Sequence, residues 1–247
     1  MKKILLLSSF FLFMTAFSLV LLLSLKENRN IRDLFSEKVH FTRSTTDTFH
    51  TWNDQRWEVR ERFKLGRGYL LSQQIEHTPG SVKIKLNHQT ADGGEIRTRN
   101  TFQYGQFEAA IKVAHAPGSI TGFFLYAPPD LHHEIDIEIF NEPESKALFT
   151  IYQDGRVAKQ QEYTLPFDPT EEFHDYRMDI LPEETRFLID GKVVQSWEGN
   201  FSSSPMQLMI NSWYPSWLDI QGPALSATVI NKVSYKQMKK PTGMEKE

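Results

Sequence analysis

Three acids alternate with three isoleucines in Glu134-Ile135-Asp136-Ile137-Glu138-Ile139. A period of two is the pattern of a β-strand with one buried and one open face, so all three carboxylates project into the same space. Successive acids stand roughly 6.5–7 Å apart at Cα, because a strand rises about 3.3 Å per residue. Like charges in a row repel, and no cation follows them on the strand. Chemistry can justify that cost; stability cannot. The acids run long, short, long. Glu134 and Glu138 start about 13 Å apart at Cα. On a concave sheet their side chains can lean together toward the roughly 5–5.5 Å that a double displacement at a sugar carbon demands of its nucleophile and its general acid. Asp136 would sit between them, able to hydrogen-bond to one. The pentapeptide alone fits a solvated outer face of a half-buried strand equally well.

The rest of the chain supplies elements to hold such a strand. Alternating segments Tyr69–Ile75 and Ser81–Leu86 flank the turn signal Thr78-Pro79-Gly80, and Ala91-Asp92-Gly93-Gly94 marks another turn. Further strands are expected at Phe107–Val113, Gly122–Tyr126, Ile135–Phe140, Ala147–Tyr152, Tyr176–Ile180, Arg186–Ile189, Lys192–Trp197, Gln207–Ser212 and Ala227–Tyr235. Turns at this spacing suit an antiparallel sandwich. No repeat period is present, and no useful helical pattern follows residue 35. Phe123 and Trp57 are expected in the core.

The flanks of the acid strand carry a more specific signal. Upstream stand Gly94-Glu95-Ile96-Arg97-Thr98, Tyr104-Gly105-Gln106-Phe107-Glu108-Ala109 and Gly122-Phe123-Phe124-Leu125-Tyr126. Downstream stand Phe173-His174-Asp175-Tyr176, Phe187-Leu188-Ile189-Asp190-Gly191-Lys192 and Met206-Gln207-Leu208-Met209-Ile210-Asn211-Ser212-Trp213. In this order the series resembles glycoside hydrolase family 16, which includes lichenases, laminarinases and xyloglucan endotransglycosylases, over roughly residues 43–237. The uninterrupted acid pentapeptide has the form of lichenase-like and xyloglucan-active members.

The resemblance implies an all-β fold, a concanavalin A-like jelly-roll sandwich of two curved antiparallel sheets. It implies an endo-acting, retaining enzyme that cleaves or transglycosylates a β-linked polysaccharide, with Glu134 as nucleophile, Glu138 as acid/base and Asp136 in support. Glu95 and Arg97 match positions that hydrogen-bond sugar hydroxyls; otherwise they form a surface ion pair of little energetic worth. Phe124 and Tyr126 share a face suited to stacking and to a phenolic hydrogen bond. Asn211 and Trp213 match the cleft floor, and Trp217 is a candidate for its rim. His132 matches a family variant and is expected on the side of the acids, with His133 on the opposite face. That split argues against a metal site built from both. Asp179-Ile180 stands where many members have Asp-Trp. The loop Ala127-Pro128-Pro129-Asp130-Leu131 is shorter than in lichenase-like members, so substrate preference does not transfer. No cofactor is required; a structural calcium, as in some relatives, is not indicated by any acid-rich loop. A carbohydrate-binding or wall-organising protein that kept the fold without the chemistry is the alternative.

Composition sets bounds. With 247 residues, 18 Phe, 8 Tyr and 5 Trp, the chain suits one β-rich domain of about 200 residues after an N-terminal segment. A net charge of −3 with scattered basic residues gives no reason to expect nucleic acid. Without cysteine there are no disulfides or thiolate metal sites. Lys2 and Lys3 precede the apolar stretch Ile4–Leu25, interrupted only by Ser8, Ser9, Thr15, Ser18 and Ser24. That length suits an uncleaved signal anchor with a cytoplasmic N-terminus, and a cleaved signal peptide is the alternative. The expected organisation is an anchor or signal at 1–25, a linker at 26–42, the catalytic domain at 43–240 and a polar tail at 241–247. The domain is expected outside the cytoplasm, as a monomer, either tethered to the membrane through residues 4–25 or secreted or periplasmic.

Overall fold

The computed structural model describes residues 41–238, and the expected apolar helix at 4–25, the linker before 41 and the polar tail lie outside them. In chain order the strands are β1 (Phe41–Asp47), β2 (Trp57–Val59), β3 (Phe63–Leu65), β4 (Gly68–Leu70), β5 (Ile75–Thr78) and β6 (Ser81–Ile84). Then come β7 (Gly94–Phe102), β8 (Gly105–Lys112), β9 (Ile120–Ala127), β10 (His133–Phe140), β11 (Lys146–Gln153) and β12 (Arg156–Thr164). The last are β13 (His174–Ile180), β14 (Glu184–Ile189), β15 (Lys192–Glu198), β16 (Met206–Trp213) and β17 (Thr228–Met238).

Two antiparallel sheets stack as a jelly-roll-like sandwich. One runs β12-β11-β10-β9-β16-β7-β2; the other runs β15-β14-β13-β8-β17-β6-β5, with β1 also paired to β17. Alternation decides which side chains fill the space between them. Ile135, Ile137 and Ile139 are completely buried, as are Phe123 and Leu125 of β9 and Leu208 and Ile210 of β16. Phe107 and Ile111 of β8, Tyr176 and Met178 of β13 and Phe187 of β14 close the layer from the other sheet. Phe149 of β11 stacks on Phe187 with centroids 4.9 Å apart, joining the sheets directly. Each buried isoleucine contributes about 1.5–3 kcal/mol, so the face of β10 turned to the core holds in place the face that carries the acids. A buried hydroxyl cluster adds a polar tie: Thr121 Oγ1 lies 2.8 Å from Ser212 Oγ and 2.9 Å from Thr228 Oγ1 of the opposite sheet.

Several expected elements differ in detail. Tyr69–Ile75 is not one strand. β4 ends at Leu70, Ser72–Gln74 forms a 3-10 turn, and β5 starts at Ile75. The polar Ser72-Gln73-Gln74 run has no apolar alternation to hold a strand, and the Ser72 N–H donates to Glu61 at 2.9 Å instead. β12 was not foreseen, because Arg156–Thr164 is largely exposed and carries no alternating apolar face; it is held by its ladder with β11. Trp57 and Phe123 are fully buried, as expected.

Candidate active site

Register places the three acids in the middle of the seven-stranded sheet, on the face away from the core. Glu134 lies between Tyr126 of β9 and Tyr152 of β11. Asp136 lies between Phe124 and Thr150, and Glu138 between Gly122 and Leu148. One strand further, β16 sets Gln207, Met209 and Asn211 beside Tyr126, Phe124 and Gly122. Beyond it, β7 sets Arg97 beside Met209 and Glu95 beside Asn211. The acids, Phe124, Tyr126, Asn211, Glu95 and Arg97 thus share one face, with Trp213 at the end of β16 on the same side.

No cation neutralises the acids: among the described residues, no ion pair involves Glu134, Asp136 or Glu138. Burial pushes Glu134 up to about 8, with help from the charges of Asp130, Glu138 and Glu95. Burial pushes Glu138 up to about 7. Asp136, 4% exposed, is raised well above the ordinary aspartate range by burial and then by the two glutamates. Its Oδ1 is buried without a partner. The three carboxyls interact and titrate as a set rather than one by one, and burial raises all of them. In the free protein Glu134 holds its proton to higher pH than Glu138, the reverse of a nucleophile beside an acid; a protonated Asp136 that donated to Glu134 would favour its carboxylate and oppose that order.

The surrounding residues are more constrained than the sequence suggested. Glu95 is 2% exposed; its Oε1 accepts from Arg60 Nε at 2.9 Å and its Oε2 from Asn211 Nδ2 at 3.2 Å. Arg97 pairs with Glu58, which also holds Arg99 at 3.0 Å. Glu95 and Arg97 therefore each have a partner on or next to β2 rather than pairing with one another. The Asn211 Oδ1 is buried and unpartnered, in the notch left by Gly122: a Cβ there would lie 2.7 Å from it. Phe124 is 9% exposed, so its ring is mostly enclosed, while Tyr126 is half-buried. Trp213 is half-buried and packs on Gly66. His132 lies against the turn at Gly155, where a Cβ would come 3.3 Å from its Nε2. His133 Nδ1 meets Ser203 Oγ at 3.1 Å, and its ring meets the His132 ring edge-on with centroids 6.3 Å apart. Among the described residues, no group of His, Asp or Glu is arranged to hold a metal ion.

Sequence reasoning missed four participants. Tyr152 faces Glu134, and its hydroxyl is raised by burial and by all three acids. Asp130 adds a further negative charge near Glu134 and Tyr126. Arg60 and Glu58 anchor Glu95 and Arg97. Only Tyr152 had a signal available, since it alternates with Thr150 on a strand that a short turn must pair with β10.

Comparison with known proteins identifies the family. The family model for glycosyl hydrolases family 16 matches residues 69–229, more than half of the chain. The chain belongs to this family. It is 33% identical over 148 residues to a beta-glucanase of Acetivibrio thermocellus, covering 57% of this chain and 44% of that protein. It therefore spans less than half the length of that relative. It is 26% identical over 178 residues to a beta-glucanase of Paenibacillus polymyxa, covering 68% of this chain and 75% of that one. Among solved structures, the Bacillus licheniformis beta-glucanase superposes with a TM-score of 0.71 at 23% identity, over 80% of this chain and 100% of that one. A lichenase from a mouse hindgut metagenome gives 0.70 at 24%, over 79% and 100%. At these identities the superpositions speak for the fold, and the family 16 fold is the one the strands build.

Proposed function

We propose that this family 16 protein is an endo-acting, retaining glycosidase that cleaves, or transglycosylates within, a β-linked polysaccharide of the β-glucan class. The observation that carries the proposal is the row of three carboxylates on the outer face of β10, paired with no cation among the described residues and held by buried isoleucines behind them. In the first step a Glu134 oxygen attacks the anomeric carbon while Glu138 gives its proton to the departing glycosidic oxygen. The Glu134 charge is consumed in the ester, which lowers the cost of ionising Glu138. Glu138 then takes a proton from water or a sugar hydroxyl. The resulting oxygen attacks the same carbon, and Glu134 leaves as carboxylate. Asp136 supports Glu134 from between the two. Phe124, Tyr126, Trp213, Glu95, Arg97 and Asn211 form the floor that receives the sugar rings, and His132 borders it. The names of the beta-glucanase relatives support the substrate class.

The reading extends to location: residues 4–25 carry the domain out of the cytoplasm as an uncleaved anchor, and the domain acts there as a monomer without a cofactor. Intact mass of the mature chain tests the anchor, because a start after Ser18 would refute it. Reducing-end release from a panel of β-glucans tests the activity. Release by the wild type and none by Glu134→Ala supports it; binding to glycans without release would favour a lectin-like protein on the same fold.

A further inference from the structure

One side chain is committed to a loop rather than to the sheets. Arg67 lies in the two-residue turn between β3 and β4, after Gly66 at φ +55°. Its guanidinium donates to backbone carbonyls on the segment that follows β16. Nε meets Leu218 O at 3.0 Å and Pro215 O at 3.3 Å, while Nη2 meets Leu218 O at 2.7 Å and Ser216 O at 3.2 Å. Nη2 also lies 3.3 Å from Asp219 Oδ1, but that carboxylate is 97% exposed and contributes little. The Arg67 N–H donates to Tyr214 O at 2.9 Å. At Gly66 a Cβ would lie 2.4 Å from the same carbonyl and 2.6 Å from the Trp213 ring, so the hairpin sits flush on the end of β16.

The clamped loop carries one large apolar side chain into the open. Trp217 is 54% exposed, and its ring meets Phe140 edge-on with centroids 5.8 Å apart. Phe140 shares the face of the acids, two residues beyond Glu138, and is itself 7% exposed. Trp217 therefore stands one cross-strand row past Glu138. An exposed indole presents an apolar face and an N–H together, which suits the face of a sugar ring. Such a ring is useful only if it is already in place when the glycan arrives, because ordering it on binding would subtract from affinity.

We propose that Arg67 is a positioning residue that latches the 215–219 loop, so that Trp217 stands as a preformed saccharide-binding wall beside Glu138. The inference rests on the glycosidase reading for its substrate, but the latch itself does not depend on catalysis. A planar fork can serve three carbonyls at once, whereas a lysine cannot. Without the fork the carbonyls turn to water and the loop samples positions in which Trp217 is off the wall.

The test compares wild type, Arg67→Ala, Arg67→Lys, Trp217→Ala and the Arg67→Ala/Trp217→Ala double variant. With a soluble β-glucan, Arg67→Ala should raise KM roughly 5–10-fold while kcat changes less than about 2-fold, the pattern of lost uniform binding. Arg67→Lys should resemble Arg67→Ala. Turnover of a small glycosyl fluoride, whose single-atom leaving group does not reach the wall, should be unchanged by Arg67→Ala. The double variant should be no worse than Trp217→Ala, because both changes remove one interaction. Additive effects, full rescue by lysine, or equal loss on the glycosyl fluoride would overturn the latch. Acrylamide quenching of tryptophan fluorescence gives a readout without turnover: Arg67→Ala should increase quenching, and this increase should vanish in a Trp217→Phe background. Failure of the wild type on every glycan would count against the proposed function alone, while unchanged quenching would count against the latch alone.

Discussion

Replacing Glu134 with glutamine should abolish turnover and make the fold more stable, and the gain should depend on pH. The ionised Glu134 is half-buried, faces the charges of Asp130, Glu138 and Glu95, and has no cation to offset them among the described residues. Its carboxyl, ordinarily near 4.5, is pushed up to about 8. The folded state therefore keeps this proton to higher pH than the unfolded chain, and stability falls as pH rises from about 4.5 to about 8, then levels off. The gap corresponds to roughly 4–5 kcal/mol against the ionised form. Water in the open face and proton sharing with Asp136 and Glu138 reduce this, and we expect about 2 kcal/mol. For a domain of this size that is a Tm higher by about 4–8 °C. The assay is thermal and urea unfolding of wild type and Glu134→Gln at about pH 5 and about pH 9. The variant should match the wild type at the lower pH and exceed it at the higher. Equal stability at both, or a variant less stable at high pH, would refute the claim that the acids are held at the expense of the fold.

Three further outcomes follow from the same geometry. Glu134→Asp withdraws the carboxylate by more than about 1 Å and should cost on the order of 10²-fold in kcat; Asp136→Asn should cost less than loss of either glutamate, and an equal collapse would show that Asp136 is no mere support. The pH profile of kcat/KM should be a narrow bell with limbs near the values of about 7 and about 8 that Glu138 and Glu134 carry as a set. Below it the nucleophile is protonated, above it the acid is lost, and Glu138→Gln should erase the alkaline limb. Gly122→Ala would bring a Cβ 2.7 Å from Asn211 Oδ1, and should destabilise by about 1–3 kcal/mol and lower kcat/KM; melting and kinetics that match the wild type would mean that the notch is not tight.

The acid strand was legible because its two faces obey opposite rules: isoleucines toward the core and carboxylates away from it leave one register for β10. β12 was not, since nothing apolar marks its faces and only pairing with β11 makes it a strand. Glu95 and Arg97 were recognisable as alternating on one face, but their partners were not. Arg60 reaches Glu95 from 35 residues away, and Arg67 reaches Leu218 from 151. Such contacts are set by how the sheets and loops stack, and no local pattern announces them. Alternation placed His132 and His133 on opposite sides, but β10 starts only at His133; His132 stands in the preceding turn, outside the alternation, and the two rings meet edge-on with centroids 6.3 Å apart.

The central claim is that Glu134 and Glu138 divide the work of a double displacement, and the stereochemistry of azide rescue tests it most directly. Each glutamate is replaced in turn by alanine, an activated β-glycoside is supplied with sodium azide, and the glycosyl azide is examined by proton NMR. Glu134→Ala should be rescued to give the α-azide, because azide takes the nucleophile's place in a single inversion. Glu138→Ala should be rescued to give the β-azide, because azide attacks the glycosyl-enzyme still formed on Glu134. The reverse pattern would exchange the two roles, and β-azide from both variants would contradict the assignment of Glu134 as nucleophile.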